Sequence, residues 1–206
     1  MASKHGQQAL AAANTVLLPL MRAVHRYNRV YAGRKPYYTM KIQLIQTGDR
    51  RIHIAVIDIP GSNPLVVAIY SSTQESRPVS PSQIKRRLKR LFRLVSRLRG
   101  KLFTAADIVY IYITRRRLTR NAYRIALSNH VNIALSPQKA AATLARLLEQ
   151  RFRRLQEKLA GRKVWGIVKA LYHSLATLYE TLNTPANTGI ELIEKWRTID
   201  ASTQPR

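Results

Sequence analysis

The sequence predicts an α/β domain with the order helix, three-strand meander, helix, strand, helix, strand, helix, followed by added C-terminal helices. Short runs of β-branched residues have the length of strands, and longer stretches place apolar residues at helical spacing. After residue 80 the two patterns alternate, which indicates crossover connections. With 206 residues and 46% hydrophobic content, the chain is long enough to bury a core.

A helix and an antiparallel meander are predicted in the first third of the chain. Apolar residues at near-helical spacing indicate a helix over residues 7–31, which Gly33 and Pro36 end. Strands are expected at Tyr38–Gln46, Ile52–Ile59 and Leu65–Ser71. Turn-forming residues at 47–49 and 60–64 separate these strands, so consecutive strands are expected to pair as neighbours.

The middle of the chain predicts helices that alternate with strands. Ser80 and Pro81 supply a helix start, and this helix runs to about Arg99 before Gly100. The next elements are expected to be a strand at Asp107–Thr114, a helix at Thr119–Ser128 and a strand at Val131–Leu135. The composition of Asp107–Thr114 is typical of a buried strand.

The C-terminal part of the sequence predicts further helices. One opens at Ser136-Pro137 and runs to about Leu159, and an amphipathic helix covers Val164–Leu182. A short helix is compatible with Gly189–Trp196. We therefore divide the chain into a core domain, residues 1–160, and a helical extension and tail, residues 161–206. The Val164–Leu182 helix has two interpretations of equal weight, packing against the core or contact between subunits.

The charge of the chain is strongly one-sided. Lys and Arg total 36 against 10 Asp and Glu, which gives a formal net charge of +26. A compact domain with this much self-repulsion is expected to have a polyanionic partner, and nucleic acid is the first candidate. Duplex DNA carries one charge per about 1.7 Å of axis, so 26 positive charges would neutralise at most about 44 Å, roughly 13 base pairs. This ratio favours a coat over a regulator that binds at isolated points.

The helix that begins at Pro81 carries most of the concentrated charge. Between Lys85 and Lys101 there are nine basic residues and no acidic one, and the apolar residues fall on the opposite side of the helix. The residues expected to contact phosphates are Lys85, Arg86, Lys89, Arg90, Arg93, Arg97, Arg115, Arg116, Arg117, Arg120 and Arg124. The prevalence of Arg favours bidentate phosphate contacts. The alternative interpretation is a solvated helix face with no ligand.

Several classes of site and segment are not expected. The chain has no cysteine, which excludes disulfides, iron–sulfur clusters and thiolate zinc sites. Its five histidines are scattered, without the spacing of metal ligands. The apolar run Ala9–Val24 is interrupted by Asn14, Pro19 and Arg22 and is shorter than the ~20 residues of a membrane span. We expect no metal, no cofactor and no transmembrane segment.

Two strands carry a recognisable pattern. Asp58 lies in Ile-Asp-Ile at the end of the second strand, and the third strand reads Val-Val-Ala-Ile-Tyr-Ser-Ser from Val66 to Ser72. Together with the element order, these residues resemble the PD-(D/E)xK nuclease superfamily, in which an Asp and a Glu-x-Lys hold a divalent ion and activate water. The resemblance covers about residues 5–150 and implies a restriction-endonuclease-like core. In this core Ala68 replaces the metal-binding Glu and Tyr70 replaces the catalytic Lys.

The same resemblance implies that the catalytic chemistry is lost. Ala68 has no ligand atom, and Tyr70 is a phenol with a pKa of about 10 that does not supply a lysine's charge at neutral pH. One carboxylate, Asp58, is a poor Mg²⁺ site. We therefore expect no enzymatic activity, with Asp58, Ala68 and Tyr70 as degenerate catalytic positions.

The architecture, the charge and the lost site together are similar to the nucleocapsid proteins of filamentous viruses of hyperthermophilic archaea, thought to descend from an inactivated CRISPR-associated adaptation nuclease. This resemblance implies a structural protein that coats and packages double-stranded DNA in the virion. The implied partners are DNA and either further copies of the chain or a second coat protein, with no small-molecule substrate.

Two other function classes stay open. The first is a residual metal-dependent nuclease that uses Asp58 with Asp107 or Glu75. The second is a cellular DNA- or RNA-binding protein, chromatin- or ribosome-associated, in the cytoplasm or nucleoid. Aromatic residues make up 7% of the chain, and their distribution gives no evident platform for stacking single-stranded bases. A preference for duplex over single strands would separate DNA coating from RNA binding.

Overall fold

The fold is described by a computed structural model for residues 4–29, 39–45, 47–58, 63–72 and 77–147. The elements in chain order are α1 (Lys4–Tyr27), β1 (Lys41–Ile45), β2 (Ile52–Asp58), β3 (Leu65–Ser72), α2 (Pro81–Leu98), β4 (Asp107–Thr114), α3 (Arg120–Ser128), β5 (Val131–Ala134) and α4 (137–147). The predicted α/β class and the predicted order of elements are confirmed through residue 147. The helices expected at Val164–Leu182 and Gly189–Trp196, and the boundary at residue 160, lie outside the described residues.

The five strands form one mixed sheet in the order β1-β2-β3-β4-β5. The first three pair antiparallel, as the predicted meander requires, whereas β4 is parallel to β3 and β5 is parallel to β4. Parallel neighbours need a crossover connection, and α2 and α3 supply these connections. The carboxyl ends of β3, β4 and β5 therefore lie along the same edge of the sheet.

Helices cover both faces of the sheet. Along β3, Leu65, Val67 and Ile69 belong to the core under α1 and α4, whereas Val66, Ala68 and Tyr70 belong to the core under α2 and α3. All eight residues of β3 are buried. This explains why the strand reads as a continuous apolar run, since a strand covered on both faces has no polar alternation.

Local capping fixes where α2 begins and ends. The Ser80 hydroxyl accepts a hydrogen bond from the Gln83 backbone N–H at 3.4 Å, and the Gln83 side chain accepts one from the Ser80 N–H at 2.9 Å. Pro81 occupies the first turn, where its missing N–H has no intrahelical partner to lose. After the helix Gly100 adopts a φ of 82°, which is accessible to glycine at little cost.

The α-helical geometry of α1 ends at Tyr27, four residues before the predicted residue 31. The chain continues past Tyr27 as a π turn through residue 29. Within that turn the Asn28 side chain donates to the Met40 carbonyl at 2.7 Å and accepts from the Met40 N–H at 2.9 Å. These two bonds tie the helix end to the start of the sheet.

No helix of the described residues is long and apolar enough to cross a bilayer.

Candidate nucleic-acid interface

The second helix presents its basic side away from the sheet. Ile84, Leu88, Leu91 and Val95 recur at helical spacing and are buried against the sheet. The opposite side carries exposed Lys and Arg from Lys85 to Arg97, which spans about 18 Å at 1.5 Å per residue. Because the apolar face of α2 is buried against the sheet, its basic residues are held on the opposite, exposed face.

All eleven residues that the sequence analysis assigned to phosphate contact are exposed. They are Lys85, Arg86, Lys89, Arg90, Arg93 and Arg97 on α2, Arg115, Arg116 and Arg117 after β4, and Arg120 and Arg124 on α3. Exposure is the condition that a phosphate contact requires. We refer to these eleven residues as the basic surface.

The two helices of the basic surface begin side by side. The Val79 N–H donates to the Arg117 carbonyl at 3.3 Å, and the Thr119 N–H donates to the Val79 carbonyl at 3.1 Å. These bonds join the segment before α2 to the segment before α3 at the carboxyl edge of β3 and β4. Neither helix has an acidic residue in its first turn, so the partial positive charge of each N-terminus adds to the field of the arginines.

Carboxylates are nearly absent from this half of the domain. Residues 77–147 include 17 Lys or Arg and a single acid, Asp107, at the start of β4. The segment Arg115–Arg117 follows the other end of that strand. Within residues 77–147 the positive charge is therefore almost unbalanced, which favours binding of an external polyanion.

Asp49, in the turn between β1 and β2, forms an ion pair with Arg90 of this surface and another with Arg51. Its Oδ1 lies 3.1 Å from Arg51 Nε, and its Oδ2 lies 3.6 Å from Arg90 Nη1. Burial acts to raise the pKa of Asp49, but hydrogen bonds from Arg51 and the charges of Arg51 and Arg90 hold that pKa below its ordinary value. The sequence predicts Asp49 only as a turn residue, and the Asp-Arg-Arg sequence that follows Gly48 is the signal that could have indicated its ion pairs.

The degenerate catalytic positions do not come together. In the pairing of β2 with β3, Ala68 lies opposite Ile54 and Tyr70 lies opposite Ile52. Asp58 is exposed at the far end of β2, four residues beyond Ile54. At roughly 3.3 Å per strand residue this offset is about 13 Å. The register of the hairpin thus separates Asp58 from the two positions that the nuclease pattern would place beside it.

The alternative carboxylate pair is also divided. Asp107 begins β4, and its backbone N–H donates to the Pro64 carbonyl at 2.9 Å. Asp58 and Asp107 lie on strands separated by β3, and strand alternation directs them to opposite faces of the sheet. Glu75 lies outside the described residues. Within the described ranges, no three His, Asp or Glu side chains group as metal ligands would.

Two tyrosines and two arginines form a polar cluster beneath the start of α2. The Tyr70 and Tyr112 rings, on paired strands, stack with centroids 5.4 Å apart and planes 11° apart. Arg87 Nη1 donates to the Tyr112 hydroxyl at 2.5 Å, and the Arg87 guanidinium carbon lies 6.0 Å from the centre of the Tyr70 ring. The Arg51 guanidinium carbon lies 5.6 Å from the same centre. We call Arg51, Tyr70, Arg87 and Tyr112 the Tyr-Arg cluster.

The cluster is a feature that sequence reasoning missed. Burial raises the pKa of Tyr70, although Arg51 and Arg87 act to lower it, so the phenol is neutral at physiological pH. Its hydroxyl is buried and has no hydrogen-bond partner among the described residues. Arg87 belongs to the run of basic residues on α2, but it is half-buried while its neighbours are exposed. Arg87 lies 200° around the helix axis from Lys85, away from the centre of the basic side. This angle could have identified Arg87 in the sequence as a residue that is not fully exposed.

Comparison of the chain with protein-family models, with curated proteins and with solved structures finds no match.

Proposed function

We propose that this protein is a non-catalytic, double-stranded-DNA-binding structural protein that coats and packages DNA as a viral nucleocapsid protein. The observation that carries the proposal is the basic surface, eleven exposed Lys and Arg on α2, on the segment after β4 and on α3. Phosphate contacts require charge and reach but no match to base edges, and these side chains supply both.

The charge is distributed as a coat requires. A net charge of +26 is enough for roughly 13 base pairs per protomer, so a filament of closely spaced protomers would neutralise its DNA. The predominance of Arg on α3 and on the segment before it suits bidentate contact with phosphate oxygens. Such binding depends on counterion release and weakens steeply with salt.

We also propose that the core is a restriction-endonuclease-like fold without a working catalytic site. The meander, crossover helix and parallel strand support that relationship. Ala68 has no ligand atom and Tyr70 is neutral, while the strand register keeps Asp58 about 13 Å along the sheet from Ile54, the residue that pairs with Ala68. These features argue against metal-dependent cleavage, including cleavage by Asp58 with Asp107.

A coat requires protein contacts as well as DNA contacts. We assign these to the extension at residues 161–206, through contacts with further copies of the chain or with a second coat protein. The proposed location is the virion. A cellular DNA-packaging protein of the cytoplasm or nucleoid would use the same surface.

Electron microscopy of the purified protein with long linear duplex DNA in Mg²⁺, over a range of protein-to-base-pair ratios, tests the proposal. The expected result is intact DNA in continuous filaments of regular pitch, saturating near one protomer per ten or so base pairs. Fragmented DNA would support the residual nuclease. Protein at isolated sites only, or a preference for single-stranded RNA over duplex DNA, would contradict the coat.

A further inference from the structure

The third helix buries its small residues and exposes its large apolar ones. Ala122 and Ala126 are fully buried in the core under α2 and α3, whereas Tyr123 is 49% exposed and Leu127 is 60% exposed. A helix that only covers a sheet gains most free energy when its largest apolar side chains face inward. The arrangement in α3 is the reverse, so the exposed side of this helix requires a separate explanation.

Tyr123 and Leu127 form one apolar patch. They are four residues apart, so they are neighbours on the helix surface, about 6 Å apart along its axis. Apolar residues that are exposed singly are common and need no explanation. An adjacent pair that includes an aromatic ring offers a continuous surface, and its removal from water would favour binding of a partner.

Two arginines flank this patch. At 100° per residue, Arg120, Tyr123, Arg124 and Leu127 fall within an arc of about 100° around the helix, and all four are exposed. We refer to these four residues as the outer side of α3. The sequence of α3 has no acidic residue. A partner that fits the outer side of α3 must therefore be an anion that also has apolar surface.

Nucleic acid has both properties. Its phosphates carry negative charge, and the sugars and base edges between them are surfaces against which apolar side chains pack. A second copy of this chain fits poorly, because each copy carries a net charge of +26 and two such surfaces repel each other.

The position of α3 beside α2 also favours nucleic acid. The two helices are in contact on the same face of the sheet, and the segments before them are hydrogen-bonded through Val79. Packed helices lie about 8–10 Å apart, which is less than the ~12 Å width of the major groove of DNA. A duplex that binds the Lys and Arg of α2 therefore also meets the outer side of α3.

We propose that Tyr123 and Leu127 pack against the sugars and base edges of bound duplex DNA, while Arg120 and Arg124 contact phosphates beside them. This inference rests on the proposed function, because it takes duplex DNA as the ligand of the basic surface. It adds a component of binding that the charges of α2 do not supply. Phosphate contacts weaken with salt through counterion release, whereas burial of apolar surface does not. The apolar contact would preserve part of the affinity at high salt.

Duplex binding over a salt series tests the proposal. The slope of log K against log[salt] reports phosphate contacts, and the affinity extrapolated to 1 M salt reports the non-ionic part. The key variant is Tyr123→Ala with Leu127→Ala, which removes the apolar patch and keeps a good helix former at both positions. The matched control is Leu10→Ala with Leu18→Ala, which changes residues of α1, on the other face of the sheet, that are 48% and 43% exposed.

Fluorescence anisotropy of a labelled duplex of about 20 base pairs measures both quantities. The Tyr123→Ala with Leu127→Ala variant is expected to bind about 10- to 100-fold more weakly at every salt concentration, with an unchanged slope. Arg120→Gln with Arg124→Gln is expected to lower the slope by about 1.8 and to leave the affinity at 1 M salt nearly unchanged. Tyr123→Phe, which keeps the ring, and the α1 control are expected to bind as the wild type does.

Thermal unfolding distinguishes a lost contact from a lost fold. Tyr123 and Leu127 are exposed and alanine favours the helix, so the double variant is expected to keep the wild-type Tm or to exceed it. Leu127→Gln, a single change to another good helix former, is expected to weaken duplex binding about three- to tenfold. Because it alters one exposed side chain, it tests the same contact with less effect on the fold.

Unchanged duplex affinity in the double variant and in Leu127→Gln would overturn the proposal and leave the DNA coat intact. The patch would then serve a protein partner, such as an acidic segment. Equal losses in the α1 control would overturn it as well, because they would show a general effect of exposed apolar residues. Failure of the proposed function would appear differently, as wild-type protein that binds no duplex at any salt concentration, and that result would overturn both.

Discussion

Asp49 Oδ2 lies 3.6 Å from Arg90 Nη1, so the turn between β1 and β2 is ion-paired to the basic surface of α2. The same carboxylate accepts from Arg51 at 3.1 Å. Asp49 therefore occupies, from within the chain, positive groups that would otherwise be available to phosphate. It acts as an internal competitor of the proposed ligand.

Asp49→Asn is expected to strengthen duplex DNA binding. The substitution frees about one cationic contact, so the dependence of log K on log[salt] should steepen by about 0.9, and affinity near 0.1 M salt should rise roughly three- to tenfold. Fluorescence anisotropy of a labelled duplex over a salt series measures both quantities. The control is Asp107→Asn, which changes the net charge by the same amount at the far end of β4. It should change the salt dependence and the affinity by only a small fraction of the values expected for Asp49→Asn. Identical slopes for the two variants would contradict the competition.

The orientation of α2 leads to a second prediction. Lys89→Gln with Arg93→Gln removes two charges from the centre of the basic surface, and the salt dependence should fall by about 1.8 with an affinity loss of roughly 30- to 100-fold near 0.1 M salt. The control is Lys139→Gln with Arg146→Gln on α4, which covers the opposite face of the sheet. Equal losses for the two double variants would show that net charge, rather than the basic surface, governs binding.

The parts of this molecule that follow local rules could be predicted, and those that depend on strand register could not. The amphipathic pattern of α2, with Ser80 and Pro81 at its start, specified both its bounds and its exposed charges. By contrast, whether Asp58 faces Ala68 depends on the register of β2 against β3, and a shift of four residues leaves the alternation of apolar positions unchanged. Whether Asp49 and Arg51 lie near Arg87 depends likewise on how the turn between β1 and β2 packs against α2.

A third prediction concerns His53 on β2. Burial lowers the pKa of His53, although a hydrogen bond with the Arg50 backbone and the charge of Asp49 act to raise it. The unfolded chain titrates near 6.5, so the stability contribution is full above about pH 6.5 and is lost as pH falls toward the lower folded pKa. Urea unfolding from pH 8 to 5 should show this loss in the wild type.

The loss should be reduced in His53→Phe, which keeps a ring and removes the titration. His25 is exposed on α1, so His25→Gln should retain the wild-type pH profile. A His53→Phe profile parallel to that of the wild type would assign the acid sensitivity to other groups.

A fourth prediction tests the register itself. Ala68→Glu restores the carboxylate of the nuclease pattern at a position whose exposed fraction is 0%. Its cross-strand partner is Ile54, and Asp58 is about 13 Å further along the strand, too far to share an ion whose oxygen ligands lie at about 2.1 Å. The new carboxyl is therefore buried in the core under α2 without a second carboxylate to share an ion, and the free energy of unfolding should fall by about 3 kcal/mol or more.

Mg²⁺ should not recover this loss, because no second carboxylate faces Glu at that position in the described part of the sheet. The measurement is urea unfolding of Ala68→Glu and of the double variant Ala68→Glu with Ile54→Asp, each with and without 10 mM Mg²⁺. Ile54→Asp places the second carboxylate directly opposite, so Mg²⁺ should stabilise the double variant and leave the single variant unchanged. Stabilisation of the single variant by Mg²⁺, lost on Asp58→Ala, would show instead that Asp58 reaches Ala68 and that the nuclease metal site needs only its missing carboxylate.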